Sequence, residues 1–395
     1  MRALADRVHR LPRGRAAAWS VTARGAQRRR AGHDVIDLGV GDPDLATPAP
    51  VVDALERAIR AGRTHYAPAA GEAALRAAVA DETGDRTGHA VAPEQVVVFP
   101  GAQAALYATL QVLAGPGDEV LLLEPTYTTY ELVVAAAGAT PVSVPLDPAT
   151  GFDLDVDVVT AAMTPRTAAV MVNSPGNPSG AVFDHAALAR LTAACAERGV
   201  WCVADEVYGA LMFDGAHASP LAAPAGPAVT ILVDSLSKCH AMTGWRLGWA
   251  VAPPAVAAAL ATLAASLTFG VNQFVQDAAT LAVRERAALA APIAARLRRR
   301  RDRLVDALAA VDGLVARAPA GGMFVFADVA GTGLDGEAFA DALLDAEDVV
   351  VVPGSGFGTA ARHRVRLALT VDEDRLAVAA ARMRRLVTAL RPQPD

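Results

Sequence analysis

Five short apolar runs between residues 95 and 233 constrain this chain more than any other feature. They are Gln95–Phe99, Glu119–Leu123, Ala168–Val172, Val200–Ala204 and Val229–Val233. Helical patterns separate them, as where Leu106, Leu110 and Leu113 fall at i, i+4 and i+7. Strand and helix in alternation predict an α/β fold with a mostly parallel sheet covered by helices. Each run ends in polar or aromatic residues. The clusters are Gly101-Ala102-Gln103, Glu124 to Tyr127, Asn173 to Asn177, Asp205 to Tyr208, and Asp234 to Lys238. Open α/β sheets bind ligands outside the carboxyl ends of their strands, so the five clusters predict one site.

Lys238 stands out within them. The chain holds 36 lysines and arginines, and Lys238 is the only lysine. Arginine serves surface charge equally well but stays protonated. A lysine amine can lose its proton to its surroundings and attack a carbonyl. A solvated surface lysine needs no company, whereas Lys238 sits in Ser235-Leu-Ser237-Lys238-Cys-His-Ala-Met-Thr-Gly-Trp-Arg246. The expectation is a lysine that forms a Schiff base.

The length of 395 residues allows two domains. Residues 1–45 read as an N-terminal arm with part of a small domain, 46–285 as a large ligand-binding domain, and 286–395 as the C-terminal small domain. The arm over residues 1–34 is expected to be helical, and Arg284 to about Val311 to be one long helix restarted at Pro292. Strands are expected at Val35–Leu38, Met323–Val329, Val349–Val352 and Arg364–Leu369, with a closing helix from Glu373 to Leu390. A net charge of −6 excludes a general nucleic-acid binder. The basic run Arg298–Arg301 reads as a solvated helix face. Cys195, Cys202 and Cys239 lack metal-ligand or disulfide-framework spacing, which fits reduced cytosol and no metal. No secretory signal is read at the N-terminus. The stretch from Leu247 to Gln276 carries no charge, yet Pro253-Pro254 interrupts it and alanine dominates it, so no membrane span is expected. Gly331-Thr-Gly333-Leu-Asp-Gly336 matches a dinucleotide fingerprint, but without a second βαβ unit it reads as a polar turn before a helix.

A Schiff-base lysine implies an aldehyde cofactor, and pyridoxal phosphate is the usual one. Its phosphate needs N–H groups at a helix start, hydroxyls and an arginine. Gly101, Ala102, Gln103, Ser235, Ser237 and Arg246 are candidates. Its ring nitrogen needs a carboxylate, for which Asp205 suits, although an Asp there also suits a helix cap. Asn177 and Tyr208 could donate to the ring oxygen, and Tyr127 could cover the ring face.

At these residues the chain resembles the class I/II aminotransferases, pyridoxal phosphate enzymes of fold type I. The likeness runs from Gly41-Asp-Pro-Asp44 through Tyr66-x-Pro68-x-x-Gly71, Asn177-Pro-Ser-Gly180, Asp205-Glu-Val-Tyr208 and Lys238-x(7)-Arg246 to Val365-Arg366-Leu367. It implies a large domain with a seven-stranded, mostly parallel sheet and a small α/β domain built from both termini. By resemblance Lys238 binds the cofactor and shuttles the proton, Asp205 pairs the ring nitrogen, and Arg366 clamps the substrate α-carboxylate beside Gly41. A homodimer with shared sites is implied too, the neighbour supplying Tyr66 and the 268–272 loop with Thr268, Phe269 and Asn272. Ala16-Ala-Ala-Trp19, Glu124-Pro-Thr-Tyr-Thr-Thr-Tyr130-Glu131 and the Lys238 segment resemble the arginine–pyruvate transaminase branch. That implies a guanidino or other basic amino donor, pyruvate as acceptor, and a Trp19 face that could hold a guanidinium. Alternatives are a transaminase making a cyclic guanidino amino acid, a C–S lyase or decarboxylase, and a catalytically silent binding protein of the same fold.

Overall fold

The computed structural model describes residues 8, 11 and 19–390. Most of the expected arm, Ala16 to Ala18 included, lies outside these residues; the described part is a helix over Ser20–Arg30. The strands are, in chain order, β1 (Ile36–Asp37), β2 (Val96–Phe99), β3 (Glu119–Glu124), β4 (Thr140–Pro145), β5 (Thr167–Asn173), β6 (Trp201–Asp205) and β7 (Thr230–Ser235). They continue as β8 (Gly248–Val251), β9 (Val315–Ala316), β10 (Phe324–Asp328), β11 (Val349–Val350), β12 (Val352–Pro353) and β13 (Arg364–Ala368).

The central sheet has seven strands in the order β2-β8-β7-β6-β5-β3-β4. Pairing is parallel from β7 to β4, and β8 runs antiparallel to both its neighbours. All five expected runs are strands of this sheet. Their apolar composition follows from burial on both faces, since every residue of β2, β3 and β7 is buried. The edge strand β4 escapes a sequence reading because its Thr-Pro-Val-Ser-Val-Pro carries two prolines, and it is mostly solvent-facing. Proline is tolerated only at such an edge. The uncharged stretch forms β8 and an alanine-rich helix over Pro254–Leu267. No helix among the described residues is long and apolar enough to cross a membrane.

Two expectations are corrected here. The long helix breaks at Glu285, between Gln273–Arg284 and Arg286–Ala309, and continues through Pro292. The basic run is only half solvated, because Arg300 and Arg301 are buried. Arg300 donates to both Asp44 carboxylate oxygens at 2.6 and 2.8 Å and to the Leu369 carbonyl. Arg301 pairs with Asp214 and lies over Phe213. The long helix is thus bolted to the loop that follows Gly41.

The remaining strands form a β1–β11 parallel pair and an antiparallel sheet, β12-β13-β10-β9. The expected strand Val349–Val352 is split between the two at Val351. Strand β13 places Arg366 opposite Phe326 and Val352. The Gly331–Gly336 segment is a packing turn. Ala330–Thr332 is one 3₁₀ turn, and Asp335 caps the helix Gly336–Glu347 by accepting from the Ala338 N–H at 3.0 Å. A Cβ on Gly336 would lie 2.2 Å from the Arg364 carbonyl. The helix start therefore rests directly on the backbone of the strand that carries Arg366. Gly336→Ala should cost about 1–3 kcal/mol of stability by overpacking, read from urea unfolding; an unchanged midpoint would remove the packing role.

Candidate active site

The carboxyl ends of β5, β6 and β7 converge because these strands are neighbours in register. Asn173 ends β5 opposite Asp205 at the end of β6, and its amide donates to the Asp205 carbonyl at 3.0 Å. Its side-chain oxygen accepts the Asn177 N–H at 2.8 Å. Lys238 follows β7 in a turn, and its ammonium donates to the Gly41 carbonyl at 2.7 Å. Burial is the main cause that lowers the Lys238 pKa. Asp42 and Asp205 oppose it, while Arg366 and Arg246 add to it. A lysine so placed loses its proton more readily than one in water.

Asp205 is buried, and burial pushes its pKa up to about 6 against the Tyr130 hydroxyl and the Val207 N–H that stabilise its charge. Tyr130 donates to Asp205 at 2.6 Å, and Val207 N–H donates at 3.2 Å. Tyr127 stands edge-on to Tyr130 with ring centroids 5.7 Å apart. The Asn177 amide points at the Tyr208 hydroxyl at 3.4 Å. Behind this layer the residues after Asp205 and before Ser235 are anchored by charge. Glu206 pairs with Arg86 at 2.6 Å, and Asp234 pairs with Arg286 at 2.6 Å while accepting the Ser235 N–H. Burial resists ionisation of Glu206, but Arg86 and His217 outweigh it and hold its pKa at about 2.

Gly101 has φ +90°, and a Cβ there would come within 2.5 Å of an Arg246 guanidinium nitrogen. It precedes the helix Ala102–Leu113, so the Ala102 and Gln103 N–H groups have no preceding turn to bond. Arg246 donates to the carbonyls of Thr243 and Pro100 at 2.6 and 3.3 Å and has no carboxylate partner among the described residues. Ser235 and Ser237 line the same cavity as Arg246. An unpaired guanidinium, two hydroxyls and a helix start around a Cβ-free cradle suit a phosphate dianion. With Lys238 for the aldehyde and Asp205 for the ring nitrogen, the residues present fit pyridoxal phosphate.

Arg366 is 1% exposed, and no carboxylate pairs with it among the described residues. Its nitrogens donate to the Asn177 side-chain oxygen at 2.8 Å and the Gly39 carbonyl at 2.6 Å. Its guanidinium lies 4.3 Å from the Phe324 ring, 4.9 Å from Phe357 and 5.5 Å from Trp19. Burial pushes its pKa down to about 10. A buried, uncompensated cation of this kind is a receptor for a carboxylate.

One cavity of about 370 Å³ gathers these groups. Of the expected residues, Trp19, Gly41, Ala102, Gln103, Tyr127, Asn177, Asp205, Tyr208, Ser235, Ser237, Lys238, Arg246 and Arg366 line it. Gly101 backs Arg246. The guanidinium that Trp19 faces within the chain is that of Arg366. Tyr66 is outside the cavity, 83% exposed and edge-on to the exposed Phe269 at 5.1 Å. Thr268 and Asn272 are outside it as well. Sequence reasoning missed Tyr130, Asp42 and Thr243 as cavity residues. For Tyr130 a signal existed, a second tyrosine three residues after Tyr127 where a helix begins.

The model of the family described as aminotransferase class I and II matches residues 33–383. The chain is 44% identical over 378 residues to the arginine–pyruvate transaminase AruH of Pseudomonas aeruginosa, covering 96% of each. It is 38% identical over 390 residues to the aspartate/prephenate aminotransferase of Thermus thermophilus, covering 98% of this chain and 99% of that one. The solved Thermus thermophilus aspartate aminotransferase with maleate superposes with a TM-score of 0.92 at 37% identity, over 98% of this chain and 100% of that one.

Asp205 gives a stability test. Its folded-state pKa of about 6 lies above the ordinary 3.8, so the folded protein binds this proton more tightly and loses stability as pH rises through that window. Without cofactor, Asp205→Asn should therefore be more stable than the wild type at pH 8, by about 1–3 kcal/mol, and lose that advantage below about pH 4. Pyridoxal phosphate affinity of the same variant should fall. Urea unfolding and cofactor titration measure both, and a variant less stable than wild type at pH 8 contradicts the assignment.

Proposed function

The chain belongs to the class I and II aminotransferases, and from that premise we propose that it moves the α-amino group of L-arginine, or another guanidino or basic amino acid, to a 2-oxo acid such as pyruvate. The observation that carries the reading is Arg366, a buried guanidinium with no carboxylate partner among the described residues, which shares one cavity with Lys238. It supplies the contact that every α-amino acid and every 2-oxo acid can make. The likeness to an arginine–pyruvate transaminase supports the donor class.

The enzyme uses pyridoxal 5'-phosphate, which when bound supplies an electron sink and carries the amino group between two half-reactions. The Ala102 and Gln103 N–H groups, Ser235, Ser237 and Arg246 hold its phosphate. Asp205, itself held by Tyr130, keeps the ring nitrogen protonated. Asn177 and Tyr208 would donate to the ring oxygen, and Tyr127 would cover the ring face. Arg366 grips the substrate α-carboxylate beside Gly41, which orients the α-carbon toward Lys238. The Lys238 amine, poised by burial to shed its proton, is the general base that takes the α-proton and later returns one. The protein acts as a homodimer in this reading. The exposed pair of Tyr66 and Phe269 is offered to the neighbour's site, with the 268–272 loop, rather than to the chain's own cavity.

The other relatives include enzymes named for aspartate and prephenate. An acidic donor would need a further cation for its distal carboxylate. Among the described residues of the chain, the cations lining this cavity are Lys238, Arg246 and Arg366, and each has a task in this reading. None of these three is left for a distal carboxylate, which supports the basic donor.

The purified protein should be yellow, bleach with L-arginine and recover its colour with pyruvate. Release of ammonia or carbon dioxide without an acceptor would instead identify a lyase or decarboxylase. Lys238→Ala and Lys238→Arg should each lower kcat at least about a thousandfold while retaining cofactor through the phosphate pocket. Substantial turnover by the arginine variant would contradict the role of Lys238, because arginine keeps the charge but not the removable proton.

A further inference from the structure

Among the described residues, two acidic side chains line the active-site cavity; Asp205 is committed to the ring nitrogen, and Asp42 has no role in holding the cofactor. Asp42 is exposed, and it follows Gly41, whose carbonyl accepts the Lys238 ammonium. The Thr243 hydroxyl donates to one of its oxygens at 2.7 Å, which fixes the carboxylate. No cation pairs with it among the described residues. This is unusual in a chain whose carboxylates near the site are mostly paired, as Asp44 is with Arg300 and Asp205's neighbour Glu206 is with Arg86.

A second cavity, of about 340 Å³, opens beside the first and shares Val40 and Asp42 with it. Its two arginines are both engaged. Arg29 faces Asp37 at 3.6 Å, and Arg375 holds Asp34 at 2.7 Å. Asp42 is therefore an unpaired carboxylate at the junction between the inner cavity, where Arg366 receives an α-carboxylate, and an outer vestibule.

We propose that Asp42 is a specificity-determining residue that accepts the distal cation of the amino donor, so that the site takes a long side chain ending in a guanidinium or ammonium group. This rests on the aminotransferase reading above and deepens its substrate class. The two charges are divided between two ends of one ligand. Arg366 meets the carboxylate and Asp42 meets the cation, and a planar guanidinium matches a carboxylate in a two-point contact. The Thr243 hydroxyl uses one lone pair of one Asp42 oxygen and leaves the remaining acceptor sites of both oxygens for that contact.

L-Citrulline isolates the charge, because it matches L-arginine in length and shape but is neutral. The experiment compares kcat/KM for the two donors, with pyruvate, in the wild-type holoenzyme and in Asp42→Asn and Asp42→Glu. The wild type should favour arginine. Asp42→Asn should lower kcat/KM for arginine about tenfold more than for citrulline, mainly through KM, as expected for loss of one charge-assisted contact, while a change common to both donors reports the effect of the Asp42 charge on Lys238. Asp42→Glu should restore part of the arginine preference. Equal losses for arginine and citrulline would overturn the proposal, because Asp42 would then act through Lys238 or the fold. An unchanged arginine preference in Asp42→Asn would overturn it as well. Failure of the underlying donor reading is seen separately, in the wild type alone, as a preference for L-aspartate over L-arginine; it would take the Asp42 proposal with it.

Discussion

A guanidinium buried to 1% exposure, with no carboxylate partner among the described residues, is the constraint on which the rest of this structure depends. Desolvating a charge is costly unless fixed dipoles replace the water. Around Arg366 that replacement comes from the Asn177 side chain, the Gly39 carbonyl and the faces of Phe324, Phe357 and Trp19. These groups come from Trp19 and Gly39, the turn after β5, strand β10 and the 3₁₀ turn Gly354–Phe357. Holding one cation therefore requires that widely separated segments meet at one place. The Arg300–Asp44 pair and the glycine contact beneath β13 serve the same end, since both fix backbone adjoining Arg366 or Gly41.

The opposite side of the cavity repeats the principle with other charges. Asp205 is kept near an apolar interior that raises its pKa, and Arg246 lies on a glycine cradle without an anion of its own. Each of these groups is less well satisfied in the protein alone than a structural residue would be. One layer back the buried charges are paired with each other instead, Glu206 with Arg86 and Asp234 with Arg286. The contrast separates binding groups from supporting ones.

Much of this was legible before the fold was known, and the reason is local. A β-branched run followed by a polar cluster carries both the strand and its ligand-facing end in ten contiguous residues or fewer, as Val229–Lys238 does. The single lysine was visible because arginine had taken every other basic position. What could not be read depended on partners distant in sequence. Arg300 and Arg301 look like surface charge until Asp44 and Asp214 are brought to them. Strand β4 has prolines that argue against a strand until it is placed at a sheet edge. The breakpoint at Glu285 was misplaced because Pro292 is the stronger local signal for interrupting a helix, yet the helix accommodates it. Tyr130 and Asp42 gained meaning only from what they face across the cavity.

The central claim is that Lys238 carries the cofactor at the meeting point of these strand ends. Borohydride reduction of the holoenzyme, followed by peptide mass spectrometry, tests it most directly. The account predicts one phosphopyridoxyl group per chain, located at Lys238 within the Ser235–Arg246 segment. A cofactor that remains unattached after reduction, or a label at the chain's amino terminus with Lys238 unmodified, would contradict it.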